Sequence, residues 1–324
     1  MSDHLCEINV SDIDLADERY KIIFSENDIA FLAQSFEETG LIYPPIVRPL
    51  NNKFIIISGF NRIRAHIQNN RAHNGEIKII VYKTNANTTD YQCLLKSITA
   101  LAFKRQLTQA ELIICTSRLH HLLDEKQIAI KSPAIFNTEL SVRFVKDLLI
   151  VGDLPDPGLK LIHTGHLSFK SAKRISLFEK DTIKVFLEIF SRIHASNNKQ
   201  LEIILYIMEI AARDGLLPRE IFKNQDLQDI LFDDKKETGL KTSLLRAYLF
   251  ELRFPMVFKV RQKVLKKITS IQFGNKIKFL PPENLDSQTY SISFTARTYE
   301  EFLSNVQNLN AGLKKKELKD IFNQ

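Results

Sequence analysis

The chain has 324 residues, of which 44% are hydrophobic and 26% are charged, and its formal net charge is +7. This length allows two or three domains with a core each, and the composition is that of a globular protein, which excludes the disordered and fibrous classes. No apolar run reaches the roughly 18–20 residues of a membrane span, and the opening MSDHLCEINV lacks the apolar stretch of a signal peptide, so we expect a cytoplasmic protein with no membrane partner.

The cysteines give no sign of a disulfide framework or a metal site. Cys6, Cys93 and Cys115 are odd in number and lie far apart in the sequence. Neither the CxxC nor the HxxxH spacing that is typical of zinc sites occurs. We therefore expect a reducing compartment and predict no structural metal.

Positive charge is concentrated in one block of the C-terminal third. Between Lys235 and Lys278, twelve lysines and arginines stand against two acidic residues, Glu237 and Glu251. Such a block is typical of a surface that meets a polyanion, and equally of a solvated lysine-rich helix face. The sequence leaves both interpretations open.

The first hundred residues predict strands alternating with helices. INVSDIDL predicts a short strand and a turn, and SENDIAFLAQSFEETG predicts a helix that is capped by Ser25, has Glu26–Asp28 in its first turn and ends at Gly40. PPIVRPL and KFIIIS predict two strands joined at Asn51-Asn52, a pair typical of a hairpin turn. Three further elements follow: a helix over about Asn61–Asn69, the strand IKIIVYK and a helix from about Thr89.

From Thr108 onward the pattern is almost entirely helical. Long apolar-periodic segments include TQAELIICTSRLHHLLDEKQ, TIKVFLEIFSRIHASN and KQLEIILYIMEIAARDGL, and DDKKETGLK predicts a linker. The last part predicts a helix, two strands and a helix from FPMVFKVRQKVLKKI, SIQFG, TYSISFTAR and TYEEFLSNVQNL. Thr298 and Glu301 fit a capping box at the start of the final helix.

A helix-turn-helix is the clearest constellation in the helical part. Ser132-Pro133 predicts the start of a short first helix, NTEL is the turn, and Ser141 caps a second helix, VRFVKDLLIV. The buried stripe of the second helix is predicted to be Val142, Val145, Leu148 and Leu149. Arg143, Lys146 and Asp147 lie on the opposite face, where a recognition helix meets the major groove. Helix pairs of this kind also occur as purely structural units, so the pattern alone does not distinguish a DNA-binding role from a structural one.

These positions supply the predicted DNA contacts. Ser141, Arg143 and Lys146 are the candidates on the second helix, since its first turn can also meet a phosphate through free backbone amides. Candidates for additional phosphate contacts are Lys131, Lys170, Lys173 and Arg174.

A second constellation is the stretch FIIISGFNRIRAHI, in which a strand runs into a helix. Ser58-Gly59 permits a tight turn and close approach of the backbone to an anion, and Asn61, Arg62 and Arg64 stand near the positive end of the helix. This geometry suits a phosphate. A structural corner whose arginines pair with acidic neighbours is equally compatible with the pattern.

Two segments, in this order, resemble the ParB family. SFEETGLIYPPIVRPLNNKFIIISGFNRIRAHIQ is similar to the ParB N-terminal (ParB/sulfiredoxin-like) domain, with its helix ending in Gly, a G-x-x-Q-P-I-x-V-R strand and a G-E-R-R-x-R-A box. SVRFVKDLLIVGDLPDPGLKLIHTGHLSFKSAKRISLF resembles the ParB helix-turn-helix and its continuation, S-x-V-x-x-L-L-x-L-L-x-L-P followed by G-x-L-S-x-x-x-A-R. The resemblance covers roughly residues 8–180, and the basic block has no counterpart in it.

The resemblance implies a nucleotide site, because in ParB proteins the second box cradles the triphosphate of CTP. Gly59, Arg62, Arg64 and Ala65 match that box, and the preceding box is matched by Gly40, Pro44, Val47 and Arg48. The predicted nucleotide- or phosphate-binding residues are therefore Gly40, Arg48, Ser58, Gly59, Asn61, Arg62 and Arg64.

The chain departs from the family pattern at several of these places. Phe60 and Asn61 stand where the family has Glu and Arg, and Tyr43 replaces the Gln. The third family box, E-N-x-x-R-x-D-L, aligns with ALAFKRQL, where Ala100 and Leu101 replace Glu and Asn, and Lys104 replaces the Arg. Neither Ala nor Leu supplies an oxygen ligand for Mg²⁺, which speaks against Mg²⁺-dependent CTP hydrolysis.

Enzymes on the same fold are the alternative class. A sulfiredoxin needs a nucleophilic cysteine in the turn, where Phe60-Asn61 offers none. A nucleotide-dependent CTPase, phosphotransferase or nuclease would need carboxylates near the turn. The acids in question are more typical of surface positions and helix ends: Asp12, Asp14, Asp17, Glu37 and Glu38. No catalytic residue can be assigned.

The sequence thus predicts an α+β protein of three domains. They are an α/β ParB/sulfiredoxin-like domain over residues 1–105, an all-α helix-turn-helix domain over residues 106–232 and a small basic α+β domain over residues 240–324. We expect a ParB-like DNA-binding protein of partition or regulatory type, with double-stranded DNA as partner and CTP as candidate nucleotide. A homodimer, a partition ATPase as protein partner and association with the nucleoid or a plasmid are further expectations from the resemblance.

Overall fold

The computed structural model of the chain describes residues 3–22, 29–70, 76–271, 273, 276–281 and 289–322. It contains two compact units, Met1–Leu201 and Glu202–Gln324. The finer division into three domains stays a prediction. The helix cap predicted at Ser25, with its acidic first turn, lies outside the described residues.

The first unit opens with a five-stranded mixed sheet. Its strands are β1 (His4–Asn9), β2 (Ile13–Asp14), β3 (Ile46–Leu50), β4 (Lys53–Ser58) and β5 (Lys78–Lys83), in the spatial order β1-β5-β3-β4-β2. The pairs β1–β5 and β3–β4 are antiparallel, whereas β3–β5 and β2–β4 are parallel. The helices of this part are α1 (Ile29–Thr39), α2 (Phe60–Asn69) and α3 (Asp90–Ala102). The α/β prediction for the N-terminal part is confirmed.

The hairpin between β3 and β4 forms as predicted. Asn51 and Asn52 have φ angles of +50° and +62°. Positive φ at both loop residues is the mark of a type I′ turn, whose twist matches that of the flanking strands.

Strand β4 is buried on both faces and delivers the chain to the candidate site. Ile55, Ile56 and Ile57 are all buried, although successive side chains of a strand point to opposite faces. Ile56 packs into a core that contains Val47 and Ile63. Burial on both faces explains why this strand reads as a continuous apolar run.

The rest of the first unit is helical. Its helices are α4 (Gln109–His120), α5 (Glu125–Phe136), α6 (Val142–Gly152), α7 (Asp156–His163), α8 (Phe169–Ile175) and α9 (Lys180–Arg192), and the second unit begins within α10 (Asn197–Asp214). Thr108 caps α4 and Asp124 caps α5, each in a reciprocal capping box with the residue three positions on.

The helix start predicted at Ser132-Pro133 is wrong, because α5 already begins at Glu125 and contains Pro133 in its interior. Pro133 has no N–H to donate to the carbonyl of Ala129. The hydroxyl of Ser132 donates to that carbonyl instead, at 2.7 Å. The same hydroxyl accepts the N–H of Leu140 at 2.8 Å, which ties the turn after α5 to the helix. Ser132 therefore compensates for an internal proline and does not cap a new helix.

The second unit is helical at first and then mixed. Its elements after α10 are α11 (Pro218–Phe222), α12 (Gln225–Leu231), α13 (Thr238–Arg253), α14 (Pro255–Ile271), β6 (Ile277–Leu280), β7 (Ser291–Phe294), α15 (Tyr299–Leu313) and α16 (Lys316–Phe322). β6 and β7 form an antiparallel pair, and the core beneath them includes Val264, Ile271, Phe273 and Phe279.

Three predictions for this unit need correction. The strand predicted in SIQFG is wrong at Ser270 and Ile271, which end α14 because Ile271 continues the buried helix face of Val264. The first strand is instead Ile277–Leu280. Helix α13 begins within the predicted linker. At α15, Thr298 accepts the N–H of Glu301, but the Glu301 carboxylate accepts the N–H of Arg297, so the capping box is only half formed.

Within the described ranges, no helix combines the length and the apolar character that a bilayer span requires.

Candidate functional site

The turn between β4 and α2 is built around Gly59. Its φ of +99° and ψ of 26° are left-handed, and a Cβ added there would lie 2.9 Å from the Cβ of Pro45. Only glycine fits both restrictions. Gly59 has no side chain to cap α2. The N–H groups at the positive end of this helix can therefore meet a bound anion.

A cavity of about 550 Å³ lies at this turn, inside the first unit. Its polar and charged lining includes Lys21, Asn61, Lys104, Arg105, Glu111 and His163. The apolar walls include Ile57 of β4, Phe60 of α2 and Leu101 of α3. The volume falls in the range of pockets for small molecules and cofactors.

Four of the seven predicted anion-binding residues line this cavity: Ser58, Gly59, Asn61 and Arg62. The guanidinium of Arg62 is largely committed to the protein itself, since it donates to the carbonyls of Tyr43, at 2.5 Å, and Pro44, at 3.2 Å. Burial lowers the pKa of Arg62. Arg62 thus fastens the segment before β3 to the start of α2.

The other two predicted arginines do not line the cavity. Arg64 donates to Glu18 at 3.0 Å, and Arg48 donates to Asp90 at 2.5 Å. The hydroxyl of Tyr20 also donates to Asp90, at 2.8 Å, and these hydrogen bonds from Tyr20 and Arg48 hold the pKa of Asp90 below its usual value. For Arg64 the structure shows the pairing with an acidic neighbour that the sequence left open. Gly40 likewise lies outside the cavity lining, at a left-handed φ of +70°.

Sequence reasoning missed several polar residues of the cavity. Lys104 and Arg105 follow α3 in the segment ALAFKRQL; the third family box placed Lys104 at the position of its arginine, but neither residue was predicted to line the site. Lys21 and His163 carried no signal, because they come from parts of the chain more than a hundred residues apart.

The only carboxylate among the described lining residues, Glu111, is already engaged. Arg105 donates to both of its oxygens, at 2.8 and 2.6 Å, and the backbone N–H of Thr108 donates at 2.9 Å. Burial alone would raise the pKa of Glu111, but these hydrogen bonds outweigh it and hold the pKa below its usual value. The described lining therefore offers no carboxylate free to coordinate Mg²⁺. Nor do three His, Cys, Asp or Glu side chains meet as a metal site anywhere in the described ranges.

The second candidate surface is the exposed face of α6. The hydroxyl of Ser141 accepts the N–H of Phe144 at 3.1 Å, so the predicted cap is confirmed. Val145 and Leu148 are buried, whereas Val142 and Leu149 are only half-buried. Arg143 and Lys146 are exposed and lie one turn apart.

The neighbouring helices hold the remaining predicted cations. Lys131 on α5 is exposed, as are Lys170 and Arg174 on α8. Helix α8 packs against α6, where the rings of Phe144 and Phe169 are 5.5 Å apart. Lys173 differs from the others, because it forms an ion pair with Asp147 of α6 at 2.5 Å. That pair joins the two helices and partly neutralises one predicted phosphate contact.

Comparisons with known proteins find a family that matches the N-terminal part of the chain. The family model of the ParB N-terminal domain matches residues 1–98. The C-terminally truncated chromosome-partitioning protein ParB from Caulobacter crescentus, complexed to the centromeric parS site, is 18% identical, with 66% of this chain and 95% of that chain covered and a TM-score of 0.35. The same protein complexed with CTP-gamma-S is 21% identical, with coverages of 56% and 96% and a TM-score of 0.25.

A Pnob8-like ParB-N domain, in its C2221 form, is 14% identical, with 78% of this chain and 98% of that chain covered and a TM-score of 0.37. No curated protein matches the chain. The likeness to this family rests on the domain match and not on the solved structures, whose TM-scores are all below 0.4. Residues 1–98, less than a third of the chain, therefore match the ParB N-terminal domain family.

Proposed function

We propose that the chain is a ParB-like DNA-binding protein of partition or regulatory type, in which α5 and α6 form a helix-turn-helix that contacts double-stranded DNA. The observation that carries the proposal is the exposed pair Arg143 and Lys146 on α6, just behind the cap at Ser141. Their side chains stand on the face of α6 that is not packed against the rest of the helical part. A helix with this arrangement presents its N-terminal residues to base edges and its backbone amides to a phosphate.

Around α6, exposed cations would hold the DNA backbone. Lys131, Lys170 and Arg174 are exposed and would meet phosphates, the Arg174 guanidinium lying 5.8 Å from the centre of the Phe178 ring. Lys173 would first have to leave Asp147. Contacts of this kind position a protein on the duplex and set affinity, while contacts to base edges set sequence preference. The proposal therefore assigns contacts with base edges to α6 and contacts with the phosphate backbone to α5 and α8.

The cavity at Gly59 is proposed to bind a nucleotide, with CTP as the candidate that the family resemblance implies. Its phosphates would lie before the positive end of α2, and Lys104 would supply compensating charge, whereas Lys21 would first have to leave Glu18, with which it pairs at 2.7 Å. The box arginines contribute little in this proposal, because Arg62 and Arg64 are committed to protein acceptors. Binding would not require Mg²⁺, since Glu111 is paired with Arg105.

Selection of bound genomic DNA fragments by the full chain tests the DNA proposal and identifies the site together. We expect an enriched sequence, and its loss when Arg143 and Lys146 are both replaced by Ala. A matched control is the Lys180→Ala/Lys184→Ala variant, which removes two exposed cations from α9. If the unchanged chain enriches no sequence, the proposal that α6 recognises base sequence is overturned.

Calorimetry with CTP, ATP and GTP tests the nucleotide proposal independently of DNA. We expect CTP to bind with equal affinity in the presence of Mg²⁺ and in its absence. Binding of no nucleotide would overturn the proposal, and phosphate release stimulated by DNA would show that the chain hydrolyses its ligand. The proposed homodimer, partition ATPase partner and nucleoid or plasmid association stay predictions.

A further inference from the structure

Strand β1 lies at one edge of the five-stranded sheet and directs some of its backbone groups away from it. Among the described strands, β1 pairs only with β5. The N–H of Tyr82 in β5 donates to the carbonyl of Pro45 at 2.8 Å, so the backbone of Tyr82 faces the other neighbour of β5. Leu5, which is opposite Tyr82, therefore belongs to a non-hydrogen-bonded pair, and its N–H and C=O point outward.

A second hydrogen bond gives the same alternation. The N–H of Val10, directly after β1, donates to the carbonyl of Ile77 at 2.8 Å, so Val10 faces β5. Because hydrogen-bonded and non-hydrogen-bonded residues alternate along an antiparallel pair, Leu5 and Glu7 both face outward. We call their outward N–H and C=O groups the β1 edge. Proline, lysine and bulges commonly protect such an edge, and β1 has none of them.

Three exposed apolar side chains lie beside the β1 edge: those of Leu5, Ile80 and Tyr82, which we call the apolar row. They are on the sheet face opposite to Val81, which is buried in the core. Helix α3 packs against β4, where Ile57 is buried, but Leu5 and Ile80 are more than half exposed and Tyr82 is more than a third exposed. This half of the sheet face is therefore accessible to a partner.

A cavity of about 800 Å³ adjoins the apolar row and lies within the first unit. Leu5 and Tyr82 line it together with Ile42, Tyr43 and Phe103, and each of the last three is more than half exposed. Apolar and aromatic side chains exposed together around a concavity are typical of protein–protein contact sites, whereas scattered ones are ordinary. The cavity adjoins the Gly59 cavity, with which it shares Leu32, Ser58, Arg62, Ala100 and Lys104.

The β1 edge and the apolar row together indicate an extended chain as the occupant. The backbone of an added strand meets outward N–H and C=O groups, and every second side chain of that strand would reach the apolar row and the cavity. A second β1 fits poorly. Antiparallel pairing of the outward residues sets Glu7 opposite Asp3, Leu5 or Glu7 of the second copy, so each register brings carboxylates together or places one against a leucine.

We propose that the β1 edge binds an extended peptide segment of a partner protein, which adds a strand to the sheet and places bulky apolar side chains on the apolar row and in the cavity. The surface is separate from α6. It rests on neither the DNA proposal nor the nucleotide proposal.

Selection from a phage-displayed library of random short peptides by the full chain tests this proposal. We expect enrichment of peptides with bulky apolar residues at alternate positions. An enriched peptide, synthesised with a fluorescein label, then serves as the probe in anisotropy titrations. If the unchanged chain enriches no peptide, the inference is overturned.

Glu7→Pro tests the backbone contact. Proline removes the outward N–H and sets its ring on the β1 edge, whereas the ladder to β5 is kept because the N–H of Glu7 does not face β5. Affinity for the labelled peptide should fall about tenfold, the effect of one lost hydrogen bond. The matched control, Glu7→Thr, removes the same charge and keeps the N–H, so it should retain the affinity. CTP affinity should not change in either variant, because Glu7 lines neither cavity.

Ile80→Thr/Tyr82→Thr tests the apolar row without a change to the backbone. We expect it to weaken peptide binding about tenfold or more, since two apolar contacts are lost. Its matched control is Ile292→Thr/Tyr299→Thr, which removes the same exposed side chains from the second unit and should bind the peptide normally. Circular dichroism confirms that each variant is folded.

Two further outcomes would contradict the inference. One is that the selected peptides bind the Glu7→Pro and Ile80→Thr/Tyr82→Thr variants as tightly as the unchanged chain. The other is that the unchanged chain forms a dimer in sedimentation velocity that Glu7→Pro dissociates, which would assign the β1 edge to a second copy.

Discussion

Arg105 and Glu111 form a two-point ion pair at the edge of the Gly59 cavity, with N–O distances of 2.8 and 2.6 Å. The carboxylate is fully buried, whereas the Arg105 side chain is 43% exposed. The pair joins the loop after α3 to the first turn of α4, where Glu111 also completes the capping box with Thr108. This arrangement closes one wall of the cavity and uses both oxygens of its carboxylate.

The ion pair between Arg105 and Glu111 predicts that the free energy of unfolding falls in acid. The pKa of Glu111 in the folded chain lies below its ordinary value of 4.5. A carboxyl with a lowered folded pKa stabilises the fold above its unfolded pKa, and that contribution is lost as pH falls through the folded value. We expect Glu111→Gln to flatten the loss of unfolding free energy below about pH 4.5. Urea titrations across this range measure it, and Glu188→Gln, which affects only an exposed pair with Arg192, should leave the pH dependence unchanged.

Gly59→Ala should destabilise the fold far more than Gly40→Ala. Both glycines have positive φ, but a Cβ at Gly59 would lie 2.9 Å from Pro45, whereas nothing lies within 4 Å of a Cβ at Gly40. We expect the free energy of unfolding to fall by about 3 kcal/mol at Gly59 and by about 1 kcal/mol at Gly40. Chemical denaturation gives both values, and equal losses would show that the contact with Pro45 relaxes.

Ser132 and Pro133 should be energetically coupled. Ser132→Ala removes the hydrogen bonds to Ala129 and Leu140 and should cost about 2 kcal/mol of unfolding free energy. In a Pro133→Ala background the restored N–H can donate to Ala129, so the same change should cost about 1 kcal/mol less. A double-mutant cycle by urea unfolding measures the coupling. Additive effects would mean that the hydroxyl does not replace the missing N–H.

Arg143→Ala should weaken binding to the selected DNA site by about 1–3 kcal/mol if the guanidinium contacts a base edge. Affinities for the selected site and for scrambled duplexes, measured at the same salt concentration, distinguish a contact with a base edge from a contact with the phosphate backbone. An equal loss on all sequences would assign Arg143 to the backbone. Lys184→Ala, at an exposed position of α9, serves as the control and should change neither affinity.

Lys104→Gln should lower nucleotide affinity by about tenfold, because it removes one charge-assisted contact of roughly 1.5 kcal/mol from the cavity. Arg64→Gln should have little effect, since Arg64 pairs with Glu18 and does not line the cavity. Titration calorimetry with CTP compares the two variants. The opposite ranking would mean that the box arginine turns into the site when the ligand binds.

The sequence predicted local features well and long-range pairing poorly. The caps at Thr298 and Ser141 formed because each needs only a side chain and an N–H three residues away. The predicted helix start at Ser132 failed because the local signal of Ser-Pro was overridden by the capping box at Asp124, which begins α5 earlier. Pro133 inside α5 is tolerated because the hydroxyl of Ser132 donates to the carbonyl of Ala129 in place of the missing N–H.

By itself the sequence determined the shape of the candidate turn. Asn51-Asn52 makes the hairpin and Gly59 makes the left-handed link into α2, because both depend on the backbone conformation of a few consecutive residues. Only the tertiary structure decided which cations face the cavity. Arg62 donates to a carbonyl 19 residues away and Arg64 to a carboxylate 46 residues away, and these partners are brought near by the folding of the sheet domain. Lys21 and Lys104 reach the cavity for the same reason, since side chains distant in sequence meet only once the elements have packed.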